Sequence, residues 1–278
     1  MTKAYKGLIS SLVLLSGLAQ AETVFVTLEK DNALAVVDPI EGKLVKTVEI
    51  RQRPRGITLS KDQKSLYIAA SDDNTIQIID TETFEVTGQL PSGEDPETFA
   101  LNPAGDLLYV SNEDDNLVTV IDVPHQKKVK EIPVGVEPEG IAVSPDNRWV
   151  ISASETTNMI HWINPETMTI EENTLVDPRP RAAAFTADGK ELWVTSEIAG
   201  TLMILDVESK QITKKIKFDV AGVTAERIQP VGVIVDDKKR WGYVALGPAN
   251  RVAVIDAKTY EVKKYLLVGQ RVWTVSYT

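Results

Sequence analysis

Three markers recur along this chain every 42 residues, and that period constrains the fold more than anything else in the sequence. The first is a short apolar run closed by Asp or Asn: LAVVD (34–38), IQIID (76–80), VTVID (118–122), IHWIN (160–164), LMILD (202–206) and VAVID (252–256). Asp38, Asp80, Asp122, Asn164 and Asp206 stand 42 apart; Asp256 follows after 50, so the fifth repeat carries eight extra residues. Pro54, Pro96, Pro138 and Pro180 keep the same step, and Pro230 follows after 50. The third marker, just ahead of each apolar run, reads Asn32, Asn74, Asn116, Asn158, Gly200 and Asn250. Asn and Gly tolerate the left-handed backbone that a tight hairpin needs.

Each repeat reads as four short strands. In 56–90 these are GITLS, LYIAA, TIQIID and VTGQL, separated by the turns SKDQKS, SDDN and TETFE. Alternation and β-branched residues mark strands, and no helical period appears. Four antiparallel strands per repeat of about 40 residues is the pattern of a propeller blade. The expected fold is therefore an all-β propeller. Residues 24–50 supply strands two to four of an opening blade, and full blades start near Gly56, Thr98, Gly140, Ala182 and Gly232. RVWTVSYT (271–278) reads as one more first strand. It either completes the opening three strands, closing a six-bladed ring, or begins a further blade of a truncated chain.

The first 21 residues stand outside this pattern. Lys3 and Lys6 precede the apolar stretch Leu8–Leu18, and Ala19-Gln20-Ala21 is an A-x-A signature. A signal peptide cleaved after Ala21 is expected, leaving 22–278 as one exported, periplasmic propeller domain. The chain has no cysteine, so disulfides and thiolate chemistry are excluded, and stability rests on the core. A formal net charge of −10 argues against nucleic acid or an anionic membrane as the main partner.

LYIAA (66–70), LYVSN (108–112) and LWVTS (192–196) resemble the YVTN repeat of bacterial β-propellers. EDDNLVTVID (113–122), VGVEPEGIAVSPD (134–146), SETTNM (154–159), ALGPANRVAVIDAKTYEV (245–262) and LLVGQRVW (266–273) resemble one subfamily, the PQQ-dependent catabolism-associated β-propeller proteins. The resemblance implies an export signal, a seven-bladed ring and a place in periplasmic quinoprotein alcohol oxidation. It also implies that this chain lacks about one blade at its C-terminus.

The loop before strand one and the turn after strand two emerge on the same face of a blade. The loops read RPRG (53–56), EDPET (94–98), VEPEG (136–140), RPRAA (179–183), QPVG (229–232) and RVWT (271–274). They place Arg53, Arg55, Glu97, Glu139, Arg179, Arg181, Arg271 and Trp273 on that face. The turns after strand two add Glu113, Glu155 and Glu197, and the insert within 218–230 adds Glu226 and Arg227. Two readings compete. In one, Arg55 pairs with Glu97 and Arg181 with Glu139, stapling neighbouring blades. In the other, the ring is a polar funnel whose arginines take a carboxylate-bearing ligand. The face as a whole favours binding, because loops on a rigid scaffold carry function.

Little points to catalysis. His125 is expected in a turn on the far face and His161 inside a third strand; neither belongs to a triad or a zinc set. A Ca²⁺ site at EDDN (113–116) has no recognised loop spacing. Trp149, Trp193 and Trp241 lie at or near second strands, as blade core. The expectation is a non-catalytic scaffold with no cofactor or metal, in which PQQ is a conceivable ligand. Its partner would be a small anionic molecule, a quinoprotein dehydrogenase or a cytochrome, and it would be monomeric. A lactonase-like hydrolase is the alternative.

Overall fold

The computed structural model describes residues 23–275, so the expected leader and the last three residues lie outside the described part. Blade 1 holds β1 (Val24–Leu28), β2 (Ala33–Asp38) and β3 (Lys43–Glu49). Blade 2 holds β4 (Pro54–Leu59), β5 (Ser65–Ala70), β6 (Thr75–Asp80) and β7 (Val86–Pro91). Blade 3 holds β8 (Pro96–Leu101), β9 (Leu107–Asn112), β10 (Leu117–Asp122) and β11 (Lys127–Pro133). Blade 4 holds β12 (Pro138–Val143), β13 (Val150–Ser154), β14 (Met159–Asn164) and β15 (Thr169–Leu175). Blade 5 holds β16 (Pro180–Phe185), β17 (Glu191–Ser196), β18 (Thr201–Asp206) and β19 (Ile212–Lys217). Blade 6 holds β20 (Val233–Val235), β21 (Trp241–Ala245), β22 (Arg251–Asp256) and β23 (Val262–Leu267). The protein is an all-β, six-bladed propeller, and each sheet is an antiparallel meander in chain order.

Second and third strands are apolar along most of their length because both faces of each sheet are covered. Five apolar layers fill the seams between successive blades, from Leu34 against Leu66 and Ile68 to Trp193 against Val244 and Ile255. Outer strands such as β11 and β19 are exposed and rich in lysine, which discourages edge-to-edge pairing. Each blade has a register shift between strands three and four at the same repeat position, for example Val120/Ile121 and Trp162/Ile163. The 42-residue beat is therefore kept by backbone irregularities as well as by sequence.

The recurrent Asn does more than form a turn. Asn32, Asn74, Asn116, Asn158 and Asn250 all adopt left-handed backbone, with φ between 50° and 57°. Each also accepts, through Oδ1, the backbone N–H of the residue 21 positions on: Arg53, Asp95, Glu137, Arg179 and Arg271, at 2.7–3.0 Å. Those five are themselves left-handed, an uncommon conformation for Arg and Glu. In five of the six blades one side chain thus fixes the loop that approaches the next blade; blade 5 has Gly200 there. Asn158→Ala is expected to lose both the bond and the backbone tolerance, about 2 kcal/mol. Asn158→Gly keeps the tolerance and should lose about half of that. Equal losses in denaturant titrations would refute the two-part role.

The described part of 271–278 does not complete blade 1. Val272 bridges to Gly247, and Gly232 N–H donates to Trp273 O at 3.0 Å. Thr274 packs against Gly232 as Thr98 packs against Gly56: a Cβ on either glycine would come within 3.0 Å of the threonine Cα. The stretch therefore sits beside blade 6 as the first strand of a following blade would, and blade 1 has three described strands.

Candidate functional site

The approach loops bring their charged residues together as one ion-pair network. Arg53 donates to Asp95 at 2.8 Å and Glu97 at 3.0 Å. Arg55 bonds Glu97 and lies 3.1 Å from Glu29 and 3.6 Å from Glu139. Arg181 bonds Glu139 at 2.8 Å, bonds Glu155, and lies 3.7 Å from Glu197. Arg179 contacts Glu155 at 2.9 Å and Glu197 at 3.1 Å. Both expected staples, Arg55 to Glu97 and Arg181 to Glu139, are formed, and each arginine also reaches beyond its expected partner.

Carboxylates outnumber arginines in this half of the mouth, and several are buried. Glu97 is fully buried, and Glu139, Glu155 and Arg181 are no more than 5% exposed. Burial, with Glu139 nearby, pushes the Glu97 carboxyl up to about 8, although Arg55 pulls the other way. Burial also pushes Glu155 up to about 8 against the pull of Arg181, and Glu139 adds to the rise. Burial raises Glu113 as well, while a hydrogen bond with Glu97 opposes the rise. Burial disfavours the charge on Arg55, but Glu97, Glu139 and Glu29 more than offset it, so its pKa is raised. Glu97 and Glu113, both raised and close to each other, therefore favour their protonated forms more than isolated carboxyls would.

Asp95, Glu97 and Glu113 bring carboxylate oxygens within 4.8 Å of one another, but Arg53 already bonds two of the three. Of the EDDN stretch only Glu113 joins this group. Asp115 instead accepts the Glu94 N–H at 2.7 Å, which is loop chemistry.

The other half of the mouth is built differently. Two guanidinium groups lie over the Trp273 ring, Arg181 4.8 Å and Arg271 5.5 Å from its centroid. Arg227 donates to Pro248 O at 3.1 Å. Among the described residues neither Arg227 nor Arg271 has a carboxylate partner. The insert is held down by buried Phe218, Val220 and Ile228, which join the seam between blades 5 and 6.

The histidines lie elsewhere. His125 is exposed and contacts Asp122 at 2.8 Å. His161 is buried in β14: its Nε2 accepts the Gly135 N–H at 2.9 Å and its Nδ1 meets Asn173 Oδ1 at 2.6 Å. Burial lowers its pKa against the effect of Asn173, so the ring is neutral. Sequence reasoning missed Arg251, which donates to Ala249 O and Asn250 O. It opens the third strand of blade 6, outside the approach loops and second-strand turns that carry the other charged residues of the mouth.

No curated protein matches this sequence. Among solved structures the chain is similar to Kuenenia stuttgartiensis hydrazine synthase, with a TM-score of 0.82 at 17% identity, over 91% of this chain and 85% of that one. At that identity the likeness shows the fold. The sequence model of the Cytochrome D1 heme domain family matches residues 61–275. This match overturns four expectations: a PQQ-associated scaffold, a non-catalytic role, the absence of an enzyme activity and the absence of a cofactor. The lactonase-like alternative gains nothing from it. Those expectations rested on repeat text, and propeller repeats are shared among many functions. They also rested on the histidine count, which tests only one way of holding a haem.

The described residues fit the group this family implies in one respect and not in another. Unpaired arginines and an indole suit the carboxylate edge and flat face of a tetrapyrrole. An iron at the mouth would receive no histidine, since His125 faces solvent and both ring nitrogens of His161 are engaged. No helix among the described residues is long and apolar enough to cross a membrane. The family match runs through the last strand of every repeat from blade 2 to blade 6, and this chain belongs to the Cytochrome D1 heme domain family.

Proposed function

We propose that this chain is an exported, tetrapyrrole-binding propeller whose charged mouth receives the carboxylate-bearing macrocycle. The observation that carries the reading is the family match over 61–275, joined to a mouth whose blade 6 side holds arginines without carboxylate partners. The YVTN-like strand text is compatible with this reading as blade grammar. The proposed ligand keeps the chemistry of the small anionic partner expected from the sequence, and export accounts for the apolar leader over Leu8–Leu18. Haem iron, when bound, supplies one-electron and small-ligand chemistry. The protein's own part is to grip the carboxylates, stack the ring and keep a fixed charge pattern beside it.

Titrating the purified protein with haemin and following the Soret band tests this. A shifted band saturating near one equivalent is expected. His161→Ala should leave the shifted spectrum unchanged, because that ring is fully engaged in the seam between blades 3 and 4. A spectrum that stays that of free haemin at every ratio would overturn the proposal.

A further inference from the structure

The arginines of this mouth fall into two chemical classes, and the repeat explains why. Arg53, Arg179 and Arg271 occupy equivalent positions, each left-handed and each pinned by an Asn 21 residues earlier. Arg53 and Arg179 are each paired with two carboxylates. Arg179 finds Glu155, which stands 24 residues before it; the residue 24 before Arg271 is Gly247. The partner position has lost its acid while the arginine has kept its place.

Two more arginines border the same turn. Arg227 donates to Pro248 O at 3.1 Å, and Arg251 donates to Asn250 O at 3.1 Å and Ala249 O at 3.4 Å. The backbone of Arg271 is tied to Asn250 Oδ1 at 2.7 Å, and its guanidinium lies over Trp273. Among the described residues none of the three has a carboxylate within ion-pair distance. Carbonyl bonds orient a guanidinium without neutralising it, and most of its five N–H donors stay available. Glu226, next to Arg227 in sequence, is exposed in the short 3₁₀ turn Ala225–Arg227.

We propose that the Pro248–Asn250 turn, with Arg227, Arg251 and Arg271 around it and Trp273 beside it, is a carboxylate-binding site. This rests on the reading of the mouth as a tetrapyrrole receptor and names the place where the macrocycle's carboxylates are held. Three cations with free donors on one turn match a ligand carrying two or more carboxylates, by paired contacts. The same chemistry would hold a free polycarboxylate, so the test has two arms.

In the first arm haemin is titrated into the wild-type protein and into Arg227→Ala/Arg271→Ala. Binding should weaken about tenfold per arginine removed, with the Soret position unchanged. Haemin binding that is equal in both would overturn the site while leaving the tetrapyrrole reading intact. In the second arm citrate is titrated at low salt and indole fluorescence is followed. A saturable change, lost in Trp273→Phe and in the double arginine variant, supports the site even if haemin fails to bind wild type. Failure of haemin would then count against the tetrapyrrole reading alone. No citrate response, together with no loss of haemin affinity in the variant, sinks the site. Arg271→Lys, which keeps the charge and loses the planar fork, controls for folding and should bind more weakly than wild type but more tightly than Arg271→Ala.

Discussion

Arg181→Ala should destabilise the propeller by about 3–5 kcal/mol, the typical cost of removing one partner from a buried ion pair. Arg181 is 5% exposed and bonds Glu139 and Glu155, which are just as buried. Without the guanidinium that reaches over from blade 5, two carboxylates of blade 4 are left with no counter-charge from Arg181. For a domain of this size the loss corresponds to a melting temperature lower by roughly 10 °C or more. The loss should shrink at pH 5, because Glu155, with its carboxyl at about 8, then carries a proton in the folded protein. Thermal unfolding of wild type and variant at pH 5 and pH 8 measures both effects. A loss below about 1 kcal/mol at pH 8 would place this pair with weak surface bridges and refute the buried-network description. The lost residue would also uncover one face of Trp273, so a fluorescence change should accompany it.

The second large effect is on pH dependence. Glu97 and Glu155 move from the ordinary carboxylate value of 4.5 to about 8 on folding. The folded state therefore favours their protonated forms. Their contribution to stability is complete below pH 4.5, is lost as pH rises from 4.5 through 8, and is gone above 8. Asp80, Asp122, Asp206 and Asp256 act in the opposite sense: turn hydrogen bonds lower their pKa values below 3.8, so their contribution is lost only in stronger acid. Between these windows the protein should be most stable near pH 5, with a melting temperature several degrees higher there than at pH 8.5. Glu97→Gln mimics the protonated group and removes one of the two principal steps, so it should reduce the slope between pH 5 and 8 by roughly half. Stability that rises with pH across that range would contradict the assignment.

The two effects share one cause. Arg53, Arg55, Arg179 and Arg181 are too few for the acids gathered around them, so the mouth balances its charge partly with protons. The sequence displays that imbalance as a series of letters at fixed repeat positions. It does not display burial, and burial decides whether an extra Glu is a solvated charge or a proton carrier. Glu97 and Glu113 illustrate the point. Both appear as face acids in the sequence, yet one is fully buried and their carboxylate oxygens lie within 4.8 Å of each other.

Functional inference failed at a different step. Repeat text such as LYVSN and SETTNM reports how a strand and its turn are made, and that is common to propellers of many activities. The reading as a cofactor-free scaffold leaned on that text and on the scarcity of histidine. The family match over 61–275 overturned it.

The sequence by itself determined the blades. A 42-residue period with alternating apolar strands, left-handed Asn turns and strand-opening prolines admits few folds other than a propeller. Those markers are local: each records a backbone angle or a face of a strand, and local constraints can be read along a chain. Only the tertiary structure decided which charges meet. Arg55 and Glu139 are 84 residues apart in the chain and 3.6 Å apart in space, while Arg271 lies beside a glycine where its counterparts meet an acid. Neutralisation depends on distance and burial across blades, and neither quantity is carried by the period.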